Sequence, residues 1–347
     1  MRLQRLAWRA ILCGLVGLLL SVGGRAASAQ DPYYGGGAVS QGGETQFASL
    51  GDFNETAVGG ADGGCACDCD DSCKGLLLGF IRPTSTDFCS FISPMTNPVF
   101  FEDPRTLSEV RIIFVNHVIP NRAPLGGGDV QLLAAQMRAA ITDRLSVIAT
   151  KDGFFFTGAD PLIMDDGWAD VAAGLKYNLL SDPDSQTIVS GGFTFELPVG
   201  TPRALQGNGS GEFNFFLTGG TQIGSAGHWV SAAGLRLPTD TVDESQVSYW
   251  SNHWDWQLAG TRIYALSEVN WYHWMRSGGG GVPGLEGLDV INLGSTGVAG
   301  NDIVTGAIGL KFKPTILNEI GVAWEVPLTD RRDILDNRLT VDCILRW

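Results

Sequence analysis

From about residue 108 to Trp347 the chain is divided into segments of ten to thirteen residues in which apolar side chains alternate with polar or small ones. The last segment is the clearest. Leu339, Val341, Cys343, Leu345 and Trp347 fall on one face, and Arg338, Thr340, Asp342 and Arg346 on the other. In 319–326, Ile320, Val322, Trp324 and Val326 oppose Glu319, Gly321, Ala323 and Glu325. In 304–312, Val304, Ile308, Leu310 and Phe312 oppose Thr305, Ala307, Gly309 and Lys311. Side chains leave a strand on alternate sides, so a period of two marks a strand with two chemically different faces. The pattern predicts strands near 108–119, 129–141, 145–156, 168–180, 186–198, 212–223, 227–237, 246–257, 262–274, 301–312, 318–327 and 337–347.

The connections alternate between short (142–144, 181–185, 224–226, 258–261, 313–317) and long (120–128, 157–167, 199–211, 238–245, 275–300, 328–336). Short turns at one rim and long loops at the other are the habit of outer-membrane barrels, and the segments match the ~9–11 residues of a tilted bilayer-crossing strand. The expected fold is therefore all-β: a transmembrane antiparallel barrel of about 12 strands with an irregular N-terminal extension. Composition agrees, since only 17% of residues are charged and 47 of 347 are glycine. A membrane barrel confines charge to its lumen and loops. All nine tryptophans after residue 30 lie in the expected strands, including Trp250, Trp254, Trp256, Trp271 and Trp274, as the two membrane interfaces would favour. A secreted β-sandwich or soluble barrel also uses period two and is the alternative fold. The formal charge of −14 excludes a phosphate-neutralising nucleic-acid binder.

Ahead of the strands, Arg2, Arg5 and Arg9 precede an apolar stretch from Ala10 to Leu20 and the small residues of AASAQ, so 1–30 is expected to be a cleaved export signal. Residues 31–107 read as a periplasmic extension or plug, Gly-rich at first and then broken by Pro83, Pro94, Pro98 and Pro104. Cys65, Cys67, Cys69, Cys73 and Cys89 are disulfide candidates in an exported chain. Their spacing departs from the paired zinc pattern, which leaves a thiolate metal site with Asp68, Asp70 and Asp71 as the weaker reading, and no metal or cofactor is assigned. Cys343 is expected on the lipid face.

The terminal Trp347 behind an alternating strand resembles the closing strand of bacterial outer-membrane proteins, where the final aromatic serves the barrel-assembly machinery. From NPVFFEDPR at 97–105 onward, the motifs WADVAAGLKY, LQGNGSGEF, VNWYHW, INLGS, VAGND and VPLTDRRD resemble a group of exported barrels akin to outer-membrane transporters associated with phenol meta-degradation. The resemblance spans about 250 residues and implies a barrel in the outer membrane of a Gram-negative-type bacterium. It transfers no catalytic or binding residue.

Inward-facing charges are expected at Asp170, Lys176, Glu196, Glu212, Arg236, Asp255, Glu268, Lys311, Glu319, Glu325, Arg338, Asp342 and Arg346. They are candidates to line a pore, where an acid excess would favour cations; solvated wall residues and cross-strand ion pairs are the plainer alternative. Ser251, His253 and Asp255 share a strand face, but same-face neighbours stand ~6.5–7 Å apart, too far for a nucleophile–base hydrogen bond. His228 and His273 read as wall or girdle residues. Asp160, Asp165 and Asp166 could together hold a divalent cation, but the loop lacks the spacing of the twelve-residue calcium loop and reads as an exposed acidic turn. The Gly-rich loop 275–300 is the one candidate to fold inward, with an external position favoured.

These features predict a non-enzymatic outer-membrane channel for passive passage of small solutes, in contact with lipid and capable of forming homo-oligomers. A hydrolase using His253 or His273, and a structural or adhesive surface protein, are the competing classes.

Overall fold

Fourteen strand elements build one antiparallel sheet that closes on itself. The computed structural model describes residues 79–122, 124–158 and 164–347. The elements are β1 (Glu109–Val118), β2 (Asp129–Ala140), β3 (Leu145–Lys151), β4 (Phe154–Thr157), β5 (Gly167–Trp168), β6 (Val171–Asp182), β7 (Thr187–Leu197), β8 (Glu212–Ile223), β9 (Gly227–Pro238), β10 (Gln246–Gln257), β11 (Ile263–Arg276), β12 (Asp302–Thr315), β13 (Asn318–Pro327) and β14 (Asn337–Arg346). β1 pairs with β2 on one side and β14 on the other, Glu109 facing Arg346 and Val118 facing Asn337, so the sheet has no open edge at the seam.

The fourteen elements make twelve staves. β3 pairs with the Met137–Ala140 end of β2, and β4 with its Val130–Leu133 end. These two are one wall strand broken at Asp152 and Gly153. Gly153 has φ +114°, and a Cβ there would stand 2.4 Å from the Leu133 carbonyl oxygen, so the break needs glycine. β5 and β6 form the next stave in the same way, β5 beside β4 and β6 beside β3.

The faces are inverted relative to a soluble barrel. Trp250, Trp254, Trp256, Ile308, Leu310 and Trp324 point outward and are exposed, whereas Lys176, Glu268, Lys311, Glu319 and Asp342 point inward and are buried. An apolar exterior around a charged interior is the arrangement that lipid selects, because a closed barrel satisfies every ladder hydrogen bond internally. Cys343 lies on the outer face, half-buried, and is the free cysteine among the described residues. One tryptophan departs from the girdle expectation. Trp274 is fully buried, pointing inward beneath the Arg331 guanidinium, 5.2 Å from its ring centre.

Both chain ends of the wall, Glu109 and Arg346, lie at the rim of the short turns. The connections β2–β3, β6–β7, β8–β9, β10–β11 and β12–β13 share this rim, and the longer ones lie at the other. By the rule for outer-membrane barrels the short-turn rim is periplasmic and the long-loop rim external.

Candidate functional site

The lumen is filled at two levels by the chain itself. Residues 85–106, between the described N-terminal end and β1, form neither helix nor strand, as their prolines require. Their polar contacts run right round the barrel. Ser93 N–H donates to Glu319 Oε2 on β13 at 3.1 Å, and Met95 N–H to Glu268 Oε1 on β11 at 2.7 Å. Asn97 Nδ2 donates to Ser251 Oγ on β10 at 2.8 Å, and Gln136 Nε2 on β2 to the Pro98 carbonyl at 2.7 Å. Lys176 Nζ on β6 reaches Glu102 Oε1 at 2.7 Å, Ser190 Oγ on β7 the Pro104 carbonyl at 2.6 Å, and Thr218 Oγ1 on β8 the Glu102 carbonyl at 2.7 Å. Lys311 Nζ on β12 donates to the Ser93 carbonyl at 2.8 Å. A segment bonded to strands on every side of a closed cylinder lies inside it. Residues 85–106 are a plug in the periplasmic half.

Apolar contacts seat the plug as well. Phe88, Phe91 and Phe101 pack with Ile188, Val230 and Ala232, and Ile92 and Met95 with Tyr264, Leu266 and Ala323. Each fully buried phenylalanine contributes roughly 1.5–3 kcal/mol. The wall makes room for them: a Cβ on Gly321 would stand 2.6 Å from the Met95 sulfur. Cys89 is disulfide-bonded. Cys65, Cys67, Cys69 and Cys73, and with them the export signal, lie outside the described residues.

A connected set of buried ion pairs ties plug to wall. Arg138 Nη2 meets Glu102 at 2.7 Å and its Nη1 meets Glu109 at 3.1 Å. Glu109 accepts from Arg346 Nε at 2.7 Å, and Arg346 Nη1 meets Glu319 at 2.6 Å. Glu319 also faces Lys311 at 3.3 Å and Lys313 at 3.7 Å, and Arg111 and Lys311 share Asp342 at 2.8 and 3.1 Å. Within the plug, Arg105 Nη2 pairs with Asp103 at 2.7 Å and its Nη1 donates to the Phe91 carbonyl at 2.9 Å.

The second level is the loop between β11 and β12, which folds inward and so overturns its expected external position. Leu288, Asp289, Val290, Ile291 and Asn292 are buried. Arg338 Nη1 holds Asp289 at 2.8 Å, Asn292 Nδ2 donates to Glu212 Oε2 at 2.9 Å, and Gln206 Nε2 to the Val290 carbonyl at 3.3 Å. Glu286 accepts the N–H groups of Leu293 and Ser295 at 3.0 and 2.8 Å, and Asp333 accepts that of Glu286 at 3.1 Å. Arg236 stands where the two levels meet. Its guanidinium covers the Phe100 ring at 5.5 Å and donates to the Leu288 carbonyl at 3.3 Å, while Phe100 stacks on Tyr249 at 4.8 Å.

All thirteen charged residues singled out from the sequence are buried. Lys176, Glu268, Lys311, Glu319 and Arg346 touch the plug. Asp342 pairs with Arg111 and Lys311. Glu212, Arg236 and Arg338 hold the inward loop, and Glu325 accepts from Thr305 and Asn270 and faces Arg338 at 3.7 Å. Glu196 pairs with Lys151 on β3. Asp170 acts elsewhere. Its Oδ1 accepts the N–H groups of Gly200 and Gly207 at 2.8 and 2.9 Å, which orders the loop between β7 and β8. The acid excess expected of the lumen is also reduced, because Arg111, Arg138, Lys151 and Lys313 face inward too. Parity hides Arg111 and Arg138, since β1 and β2 carry apolar residues on both faces; a register shift between Ala149 and Lys151 turns Lys151 inward, and Lys313 lies just past the expected strand end at 312.

The Ser251, His253 and Asp255 trio is not a nucleophilic triad. His253 Nδ1 lies 2.6 Å from Glu268 Oε1 and its Nε2 3.1 Å from Asp255 Oδ2, while Ser251 accepts from Asn97. With both ring nitrogens facing carboxylates, neither can take a proton from Ser251. His228 joins the same group through Asp255 at 2.7 Å, and His273 bonds Asp302 at 2.9 Å on the outer side. Asp165 pairs with Arg203 and Asp166 accepts the Thr157 N–H at 2.8 Å; Asp160 lies outside the described residues. Among the described residues no group of three or more His, Cys, Asp or Glu side chains is arranged to hold a metal ion.

Fold and lumen together define a transmembrane β-barrel of outer-membrane type, with an N-terminal segment and a loop folded into its interior. Among solved structures the chain is similar to an outer membrane channel from Pseudomonas putida F1, with TM-score 0.50 and 10% identity over 74% of this chain and 100% of that one. The outer membrane protein OprD from Pseudomonas aeruginosa matches with TM-score 0.33 and 14% identity, over 64% and 60% of the two chains. The channel DcaP of Acinetobacter baumannii matches with TM-score 0.32 and 9% identity, over 70% and 96%. At such identities the likeness is one of fold. No family model matches the sequence, and no curated protein does either.

Proposed function

We propose that this protein is a gated, non-enzymatic outer-membrane channel for the passive passage of small solutes, of the kind associated with phenol meta-degradation that its sequence motifs resemble. The observation that carries this reading is the way the polar wall is occupied. Its charges are spent on two separate chain segments, each entering from one rim and held by non-covalent bonds, around which every wall strand keeps its own pairing. Withdrawal of the segments leaves a closed cylinder with a wettable interior, which is a pore. At twelve staves the bore lies between filled eight-stranded barrels and the water-filled porins of ~16–18 strands. Solute and surrounding lipid are the partners this role requires, and Trp347, at the seam beside Ser108 and Thr84, is proposed as the mark read by the barrel-assembly machinery. Reconstitution in planar bilayers tests the proposal: discrete current steps from a closed baseline are expected, and a membrane that stays silent at every voltage overturns it.

Acidity gives this gate a direction. Burial pushes the Glu244 carboxyl up to about 8, helped by the neighbouring Glu212 charge, and burial raises Asp333 to about 6 against the pull of Arg331. Glu286 is raised by burial as well. Ser245, next to Glu244, donates to Asn292 of the inward loop at 3.1 Å, and Asp333 accepts from Glu286, so both acids sit where the loop seals. With the loop withdrawn they regain carboxylate values near 4. Protonation therefore favours the inward state, whose stability is full below about pH 4 and falls as pH rises through the two raised values. Open probability in bilayers is expected to rise between about pH 5 and 9, and Glu244→Gln to remove the part of the rise above about pH 6.5. A pH-independent open probability in the intact chain would exclude these acids as gate groups.

A further inference from the structure

One stretch of the inner wall breaks the polar rule. In the external half, β1 and β2 turn Val115, Val130 and Leu132 inward, and the inward loop sets Leu288, Val290 and Ile291 against them. The two apolar surfaces do not close on each other. A cavity remains between them, of which about 50 Å³ is open to the centre of a water molecule. By the same measure one water needs on the order of 10–15 Å³, so the space holds a molecule of a few heavy atoms before the loop moves at all.

The chemistry of the lining excludes most occupants. Among the described residues, two side chains with polar groups reach it, His117 and Arg338, and both are committed. His117 Nε2 bonds the Ile334 carbonyl at 2.7 Å, its Nδ1 accepts from Arg338 Nε at 3.3 Å, and Arg338 Nη1 holds Asp289. A water settles in a cavity only where two to four polar partners receive it, and an ion only where its charge is compensated. Here neither condition is met. An apolar cavity shielded from solvent stays dry and takes xenon or a small hydrocarbon, and this lining offers the same apolar contacts.

We infer that this cavity is a binding site for a small, neutral, hydrocarbon-like solute, placed between the external rim and the plug. The inference rests on the channel reading and names the class of solute that pauses inside. Because half of the site belongs to the inward loop, a solute larger than the present void enlarges it by displacing Leu288, Val290 and Ile291 from the wall. Binding and loop withdrawal are then linked, since the wall gains from the solute the apolar contact that it loses from the loop.

The test uses crystals of the full chain under xenon pressure, with a parallel soak in n-pentane. In the wild type a xenon peak is expected between Val130 and Val290, displaced when pentane is present. Val290→Trp, which fills the void from the loop, and Leu132→Trp, which fills it from the wall, should each abolish the peak while keeping heat-modifiable gel mobility as the sign of a folded barrel. A cavity that stays empty under xenon, or that holds ordered water, overturns the assignment, and the wild-type result decides even if neither variant folds. Bilayer conductance of the same preparation is read separately. Xenon binding without current leaves the site standing and removes the channel; current without xenon binding does the reverse.

Discussion

A chain lacking residues 85–106 is expected to conduct in a planar bilayer with the loop between β11 and β12 as its one remaining gate, and with a mean current at least about tenfold above that of the intact chain. The expectation follows from how the work of holding the barrel is divided. Every stave is paired with both neighbours, the β1–β14 seam included, so the cylinder does not depend on the plug for its hydrogen bonds. The plug supplies instead the lining of the periplasmic half. Once it is gone, Glu268, Lys311, Glu319 and Arg346 face an open bore, and water replaces the plug atoms they now hold. The apolar seats at Ile188, Val230 and Ala232 become wet, which lowers stability without opening the wall. Current unchanged from that of the intact chain would mean that the external loop alone controls passage and that the plug is a structural filler.

The largest single-residue effect is expected at Glu319. Its carboxylate faces Arg346 at 2.6 Å, Lys311 at 3.3 Å, Lys313 at 3.7 Å and Arg105 at 3.9 Å, and it accepts the Ser93 N–H. Breaking a buried pair by removing one partner costs about 3–5 kcal/mol, because the other charge is left buried and uncompensated. Glu319→Ala strands several cations at once, so guanidinium unfolding in lipid vesicles should show a loss at the upper end of that range. Glu319→Gln keeps the volume and the acceptor for Ser93 but not the charge. If Glu319→Gln matched the wild type, the plug would be held by shape and backbone bonds rather than by this charge cluster.

The twelve staves were legible because lipid and lumen impose opposite chemistries on successive residues. The expected spans 212–223, 246–257 and 318–327 coincide with β8, β10 and β13. Where alternation fails, so does the reading. The break at Asp152 and Gly153 sits beside a run of three phenylalanines, and only the approach of the Leu133 carbonyl shows why glycine is needed. The inward charges were readable by parity, but their partners were not. Glu109 meets Arg346 only after closure, and Arg338 meets Asp289 only when a loop folds back. Both filling segments nevertheless carried a signal. Phe88, Phe91, Phe100 and Phe101 in the plug, and Leu288, Val290 and Ile291 in the loop, are too apolar for segments left in solvent. The inward Trp274 had no such signal, since β11 is aromatic on both faces.

The plug precedes β1 in the chain, yet its bonds reach β14: Arg346 Nη2 donates to Ser93 Oγ at 2.8 Å across 253 residues of sequence. Interactions of such long separation are costly to form early and set the pace of folding. The plug therefore cannot be fully seated until the final strand has arrived. A nearly finished barrel passes through a leaky stage, and the last act of maturation is the expulsion of water from its own interior.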